Sequence, residues 1–481
     1  MITEAFFLAM AIGIFFISGF IILTIVDWKE TLRLSLFMKA PISYMLGLGA
    51  VSLQMFLYSL ASIPFNVLNI AAPWLLTLAV LVYMRPPITN IGVRVSFRDI
   101  GYFDWFLILV ITSQVVYAFT YAVLVPISGS DAYQTWFFKA KVFFVDKGLR
   151  TEFFSTPEVH PDYPLMVPLS AAWIYTAIGT ANEQMGRIIY PLKYLSLISI
   201  FYFISRKFIS ARISLIFTTL LSITPIVMIH SGGLPGTLGV LYSGDFVGYA
   251  DLALSICFLS GAGFFALYTL DAKRPYLTLA AIFLGLAAWT KNEGLVSVLT
   301  CGILIVVHII TQRISWRHLL SFIVITSSVI APWLIYKNLL DILGEYEGHV
   351  GLKPALANIG RVPVILDYMF SMFFRRTELY NFTWYLYLGT SLINWRKSLQ
   401  RPLVYLHILI ISQISAYLLI YLVTFLDIQF HLETSFDRLI LHILPLSLLI
   451  AAINVGAILS MDDGINNSKI MRGDNDQKGN I

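Results

Sequence analysis

Asp131 opens a polar stretch of roughly forty residues, Ser128 to Pro168, that closes on His160-Pro161-Asp162-Tyr163-Pro164. An acid at such a point can act as a general base or as a ligand for a divalent cation. Its structural alternative is a cap on the helix that follows Ser128-Gly129-Ser130. His160 and Asp162 sit in a turn stiffened by two prolines, which either positions a phosphate or hydroxyl or is simply a braced loop.

Three further stretches carry ionisable groups next to apolar runs. Ser231–Asp251 is glycine-rich and holds Asp245 and Asp251. Glycines let backbone N–H groups approach an anion, but no Gly-Lys-Ser/Thr follows, so a Walker nucleotide site is unsupported. Asp251 stands at the positive end of the next helix, either as its cap or as an acid facing Asp131 across a cavity. Lys291 and Glu293 lie in GLAAWTKNEGL with almost no loop around them. A snorkelling lysine in a turn is the bland reading. Ionisable groups so deep are costly and mark functional positions. Arg438, with His442 one turn deeper, is either paired with Asp437 or Glu433 or placed for bidentate phosphate contact.

The elements that must position these groups are membrane helices. The 481 residues are 58% hydrophobic and only 12% charged. The mean hydropathy is +0.79. So apolar a chain is expected to be an all-α polytopic membrane protein, because backbone polar groups in lipid must be satisfied within each segment. Alternating ten-residue strands of a β-barrel are absent from the pattern. The net charge of +5 reflects loop residues that set orientation, with no nucleic-acid partner implied. Cys257 and Cys301 both fall in apolar runs and offer neither a disulfide framework nor a thiolate metal site.

Apolar runs place spans near 5–26, 41–62, 66–84, 104–126, 188–205, 212–230, 249–270, 276–290, 293–311, 318–340, 379–395, 402–427 and 438–460, about thirteen in all. Basic clusters fall at Lys29/Arg33/Lys39, Arg85/Arg94/Arg98, Arg206/Lys207/Arg212, Lys273/Arg274, Arg313/Arg317 and Arg396/Lys397/Arg401. All lie on one side if the apolar stretch 165–180 dips into the membrane or lies at its surface without crossing. The N-terminus is then outside and the C-terminus cytoplasmic, in a plasma (inner) membrane. The loops 127–187, 231–248, 341–378 and 428–437 are external. After the fourth span, Tyr133, Trp136, Phe137, Ala140, Phe143 and Phe144 recur at helical spacing. With Lys139, Lys141, Asp146 and Lys147 around them, they predict an amphipathic helix in the headgroup layer. The tail 461–481 is polar and expected to be disordered.

Taken in order, these stretches resemble the multi-pass C-type glycosyltransferases that use polyprenyl-phosphate sugars, especially relatives of protein O-mannosyltransferases and lipid A aminoarabinose transferases. The resemblance runs over roughly residues 110–450. It consists of Asp131 at a helix exit, an amphipathic helix ending at Gly148, the HPDYPL element and Arg187 opening a span. Asp251 at a small-residue helix start, GLAAWTK at 285–291, and Arg438 before a proline-containing last helix complete it. It implies transfer of a sugar from a polyprenyl-phosphate donor to an acceptor hydroxyl (glycan, lipid or protein) at the outer face. Asp131 would be the base, with His160, Asp162, Arg187, Lys291 and Arg438 holding the substrate and its phosphate. A divalent cation, magnesium or manganese, on Asp131, Asp251 and Asp245 is the other source of positive charge. Residues 1–100 are then a three-helix extension and 101–460 the transferase domain, with the active-site loop at 127–187.

One departure stands out. Relatives carry Asp-Glu in the first loop, where this chain has Asp131-Ala132, which leaves the Glu role unfilled or moves it to Asp162 or Glu158. The competing readings are a transporter or flippase, a scaffold, and a glycan ligase. A transporter would show paired broken helices and a site at the midplane.

Overall fold

The computed structural model describes residues 2–84, 101–155, 159–234, 246–344 and 351–476, with side chains through Ser460. Arg85, Arg94, Arg98, Glu158 and Asp245 lie outside the described residues. What is described is all-helical, 81% helix with no strand. The chain is a multi-pass membrane protein by the length and apolarity of its helices.

Helices α1 (Ile2–Val26), α2 (Leu36–Leu60), α3 (Val67–Met84) and α4 (Tyr102–Leu124) lead into the interrupting segment. That segment contains a π-helical turn, Ala132–Trp136, then α5 (Phe137–Asp146), α6 (Met166–Ile178) and α7 (Glu183–Arg187). Next come α8 (Ile189–Ser205), α9 (Ala211–Ser222), α10 (Pro225–Ser231), α11 (Asp251–Asp271), α12 (Arg274–Thr290), α13 (Gly294–Gln312) and α14 (Arg317–Leu339). Short helices α15 (Leu352–Ala357), α16 (Val362–Phe374), α17 (Thr377–Tyr380), α18 (Thr383–Ile393) and α19 (Trp395–Ser398) precede α20 (Leu403–Val423) and α21 (Ile428–Asp476).

Ten of these are long and apolar enough to cross a membrane, or eleven if α9 and α10, bent by 64°, form one broken span. The other two segments expected to span, 276–290 and 379–395, are helical but shorter. Helix α12 has 17 residues, because the chain turns extended at Lys291 and starts α13 three residues later. Helix α18 has 11, about 16 Å at 1.5 Å per residue, against a hydrocarbon core of roughly 30 Å.

Helix α11 is the centre, buried from Asp251 through Tyr268 and packed on α8, α12 and α21. Helices α1 and α2 pack backbone to backbone. A Cβ on Gly19 would lie 1.7 Å from the Ser43 carbonyl oxygen, and one on Gly47 as close to that of Phe15. Small residues at such crossings are how membrane helices gain contact without a hydrophobic driving force. The same helices bond into the later chain. Tyr44 Oη donates to the Ile189 carbonyl at 3.1 Å, Trp289 Nε1 to Ser52 Oγ at 2.9 Å and Trp173 Nε1 to the Ala11 carbonyl at 3.0 Å.

Contacts sort the helix termini into two ends. At one end Arg212 pairs with Asp104 at 3.1 Å, Tyr268 meets His318 at 2.7 Å, Arg401 meets His308 at 3.3 Å, and Asn394 bonds Asn454 at 3.2 Å. The described basic clusters gather there. At the other end Leu149 N–H donates to Ser59 Oγ at 2.7 Å and Phe65 N–H to the Lys147 carbonyl at 2.8 Å. Helix α6 begins and finishes at this second end: Thr290 Oγ1 donates to Met166 Sδ at 3.1 Å, and Glu183, just past α6, pairs with Lys141 on α5. It therefore does not carry the chain from one end to the other, and it is buried within the bundle, as a dipping helix would be and a surface helix would not.

Helix α5 differs from expectation. Trp136, Phe137, Ala140 and Phe143 face protein, packed against α6, whereas Tyr133 is exposed. Lys139, expected on the polar rim, is fully buried. The helix presents its aromatic face to the bundle because α6 offers an apolar surface there.

Candidate active site

Asp131 immediately precedes the π turn that feeds α5, a backbone irregularity common at functional positions. Its N–H donates to Tyr249 Oη at 3.3 Å. From α21, Arg438 donates to the Asp131 carboxylate, and its guanidinium lies over the Tyr249 ring, 5.1 Å from the centroid. Tyr249 is held by Gly248, whose φ of +121° suits only glycine. A Cβ on Gly248 would come within 2.5 Å of the Ala132 Cβ. The close approach also explains Ala132, which is fully buried there and leaves no room for a glutamate. Burial, and then the Asp131 carboxylate, push the Tyr249 phenol up to about 12, so it stays protonated.

A second layer begins at Asp251, the first residue of α11. Its Oδ1 accepts from Lys291 Nζ at 2.9 Å and lies 2.9 Å from His442 Nε2. His442 Nδ1 meets Tyr417 Oη at 2.9 Å. Lys291 also reaches Glu293 at 3.1 Å. Burial alone would lower the Lys291 ammonium, but the Asp251 and Glu293 carboxylates outweigh it and hold it above the usual lysine range. Burial likewise would raise Glu293, and Lys291 beside it pulls it below the usual carboxylate range. The early stop of α12 makes this possible, since it sets Lys291 at the site end of the bundle.

The HPDYP turn forms the third wall. His160 takes a left-handed backbone, φ +49°, and its ring stacks on Tyr163 at 4.9 Å, which stacks on Trp136 at 5.6 Å. Lys139 Nζ donates to the His160 carbonyl at 2.7 Å and sits 5.7 Å from the Trp136 and Tyr163 rings. Burial brings this ammonium down to about 7, partly countered by Asp162. Asn292 Nδ2 donates to Asp162 Oδ2 at 3.1 Å, tying the turn to the Lys291 loop.

These walls enclose a cavity of about 850 Å³. Asp131, His160, Asp162, Tyr249, Lys291, Glu293, Tyr417 and Arg438 line its polar side, and Val296, Ala416, Ile420, Leu426, Phe430 and Leu439 its apolar side. Compared with protein-family models, curated proteins and solved structures, the chain matches none.

Of the residues the sequence singles out, Asp131, His160, Asp162, Lys291 and Arg438 share this cavity. Asp251 stands behind it through Lys291 and His442. Arg187 does not line it: fully buried, it donates to the Val125 carbonyl and joins α4 to α8. Tyr249, Asn292 and Tyr417 also line the cavity, and sequence reasoning misses them. Asp131 and Asp251 each face a side-chain cation, and among the described residues no three His, Cys, Asp or Glu side chains could hold a metal ion. Asp245, the third expected ligand, lies outside the described residues, and Lys291 and Arg438 supply positive charge at the cavity.

Proposed function

We propose that the protein is a membrane glycosyltransferase that moves a sugar from a polyprenyl-phosphate donor to an acceptor hydroxyl at the outer face of the plasma membrane. One observation carries the reading: a single cavity that brings carboxylates, Asp131 among them, together with two cations and an apolar wall, at the end of the bundle away from the basic loops. A lipid phosphate needs both surfaces, charge for its head and hydrocarbon for its chain. The one-ended placement favours it over a transporter, whose site belongs near the bilayer midplane. Counting α9–α10 as one broken span and adding α12 and α18 gives thirteen crossings with the basic loops inside, the cavity, α5 and α6 on the external side and the N-terminus outside.

In this reading Asp131 takes the acceptor hydroxyl proton as the oxygen attacks the anomeric carbon. The bond from that carbon to the phosphate oxygen breaks, and polyprenyl phosphate leaves with the electron pair. The charge gained by the phosphate is met by Arg438 and Lys291, whose geometry is set in advance by Tyr249 and Asp251. Attack opposite the leaving group inverts the anomeric centre. Lys291 is suited to this task because its flanking carboxylates keep it protonated despite burial.

The test is release of polyprenyl phosphate from sugar-loaded lipid by the purified, reconstituted protein supplied with candidate acceptors. Release that depends on Lys291 and Arg438 supports the reading. Release unaffected by Lys291→Gln and Arg438→Gln overturns it.

A further inference from the structure

Asp131 and Arg438 have opposite tasks in that reading, yet in the resting protein they hold each other. A carboxylate engaged by a guanidinium is not turned towards an acceptor hydroxyl, and a guanidinium so paired is less attractive to a phosphate. Both line the cavity where donor and acceptor must meet. Their anchoring is unequal. The Asp131 side chain is 39% exposed, and its backbone N–H, not its carboxylate, is what Tyr249 holds. Arg438 is 18% exposed and rests on the face of the Tyr249 ring. If the pair opens, the carboxylate is the partner free to turn, and the guanidinium stays.

We infer that the Asp131–Arg438 pair is an exchange latch: the donor's phosphate displaces the Asp131 carboxylate from Arg438, and the base is released only when the donor is seated. This rests on the glycosyl-transfer reading and adds to it a compulsory order, donor before acceptor. Tyr249 is the positioning residue of the exchange, since its ring keeps Arg438 in place while the anion on the guanidinium changes. Without donor, Asp131 is then held by Arg438 and is not free to activate water.

The exchange makes Asp131 a competitor of the ligand it serves, and that sets a sign no structural role predicts. The probe is polyprenyl phosphate without sugar, titrated into the full-length protein in lipid nanodiscs. Asp131→Asn removes the competing charge and tightens binding on the order of two- to fivefold, the range expected of one partly exposed ion pair. Asp131→Ser makes the same prediction and stands in where the first variant folds poorly. Asp131→Glu keeps the competitor and binds as the wild type does. Tyr249→Leu weakens binding, and Tyr249→Phe, which retains the ring, restores it. Wild type that binds, with the neutral variants no tighter, overturns the latch and leaves the transfer reading standing. Wild type that does not bind polyprenyl phosphate overturns both.

Discussion

Asp131 and Arg438 lie 307 positions apart in the chain and meet as an ion pair beside the ring of Tyr249. The pair joins the start of the segment that interrupts the membrane pattern to the last helix. It therefore closes the cavity by the longest sequence separation among its contacts, and whatever enters there meets both charges together.

The buried group around Asp251 behaves as a unit. Asp251→Asn leaves Lys291 with Glu293 as its remaining carboxylate partner, and a broken buried pair costs about 3–5 kcal/mol. The double variant Asp251→Asn/Lys291→Met is expected to cost less than the sum of the singles. Thermal unfolding in detergent measures the cycle, and strict additivity would show that the two groups are not coupled.

Lys139 gives a pH signature. Its ammonium is lowered from 10.5 to about 7 in the folded protein. Between those values the unfolded chain binds more protons at this site than the folded one, so stability rises with pH across the window and is level below it. The melting temperature of the wild type should rise relative to that of Lys139→Met as pH rises from 7 towards 10.5, because the penalty that Met lacks fades over that window. A difference that stays constant would remove burial of a charge as the cause.

Ala132 tests the departure from the Asp-Glu pattern. The side chain is fully buried against Gly248, where added volume forces the loop apart. Ala132→Glu is expected to destabilise the protein by at least about 1–3 kcal/mol, since it adds both overpacking and a buried charge. A variant of unchanged melting temperature would mean that the loop opens readily.

Much of the architecture was legible because lipid imposes long apolar runs: the expected segments are helical, and ten helices, or eleven with the bent pair, are long and apolar enough to cross. Their lengths were not legible. Pro225 after Thr224 bends one span, and the abrupt turn at Lys291 shortens another, both local events that hydropathy averages away. Asp131, Lys291 and Arg438 stood out because ionisable groups near hydrocarbon are costly. Tyr249 and Tyr417 did not, because the chain has 25 tyrosines and nothing local marks these two. Lys139 and Arg187 show the limit of periodicity. A lysine among aromatics reads as a rim residue, and an arginine opening a span reads as a ligand for substrate. Which surface faces α6 or the end of α4 is decided by tertiary packing.

The most direct measurement is transfer of radiolabelled sugar in membranes from cells carrying wild type or Asp131→Asn at matched protein levels. Asparagine keeps the size and hydrogen bonding but cannot take the acceptor proton. The account predicts a labelled product from wild type and its loss, by at least about a hundredfold, in the variant, the scale of a lost general base. Full transfer by the variant would contradict the role given to Asp131. No labelled product from wild type across a range of lipid-phosphate sugars would contradict the function itself.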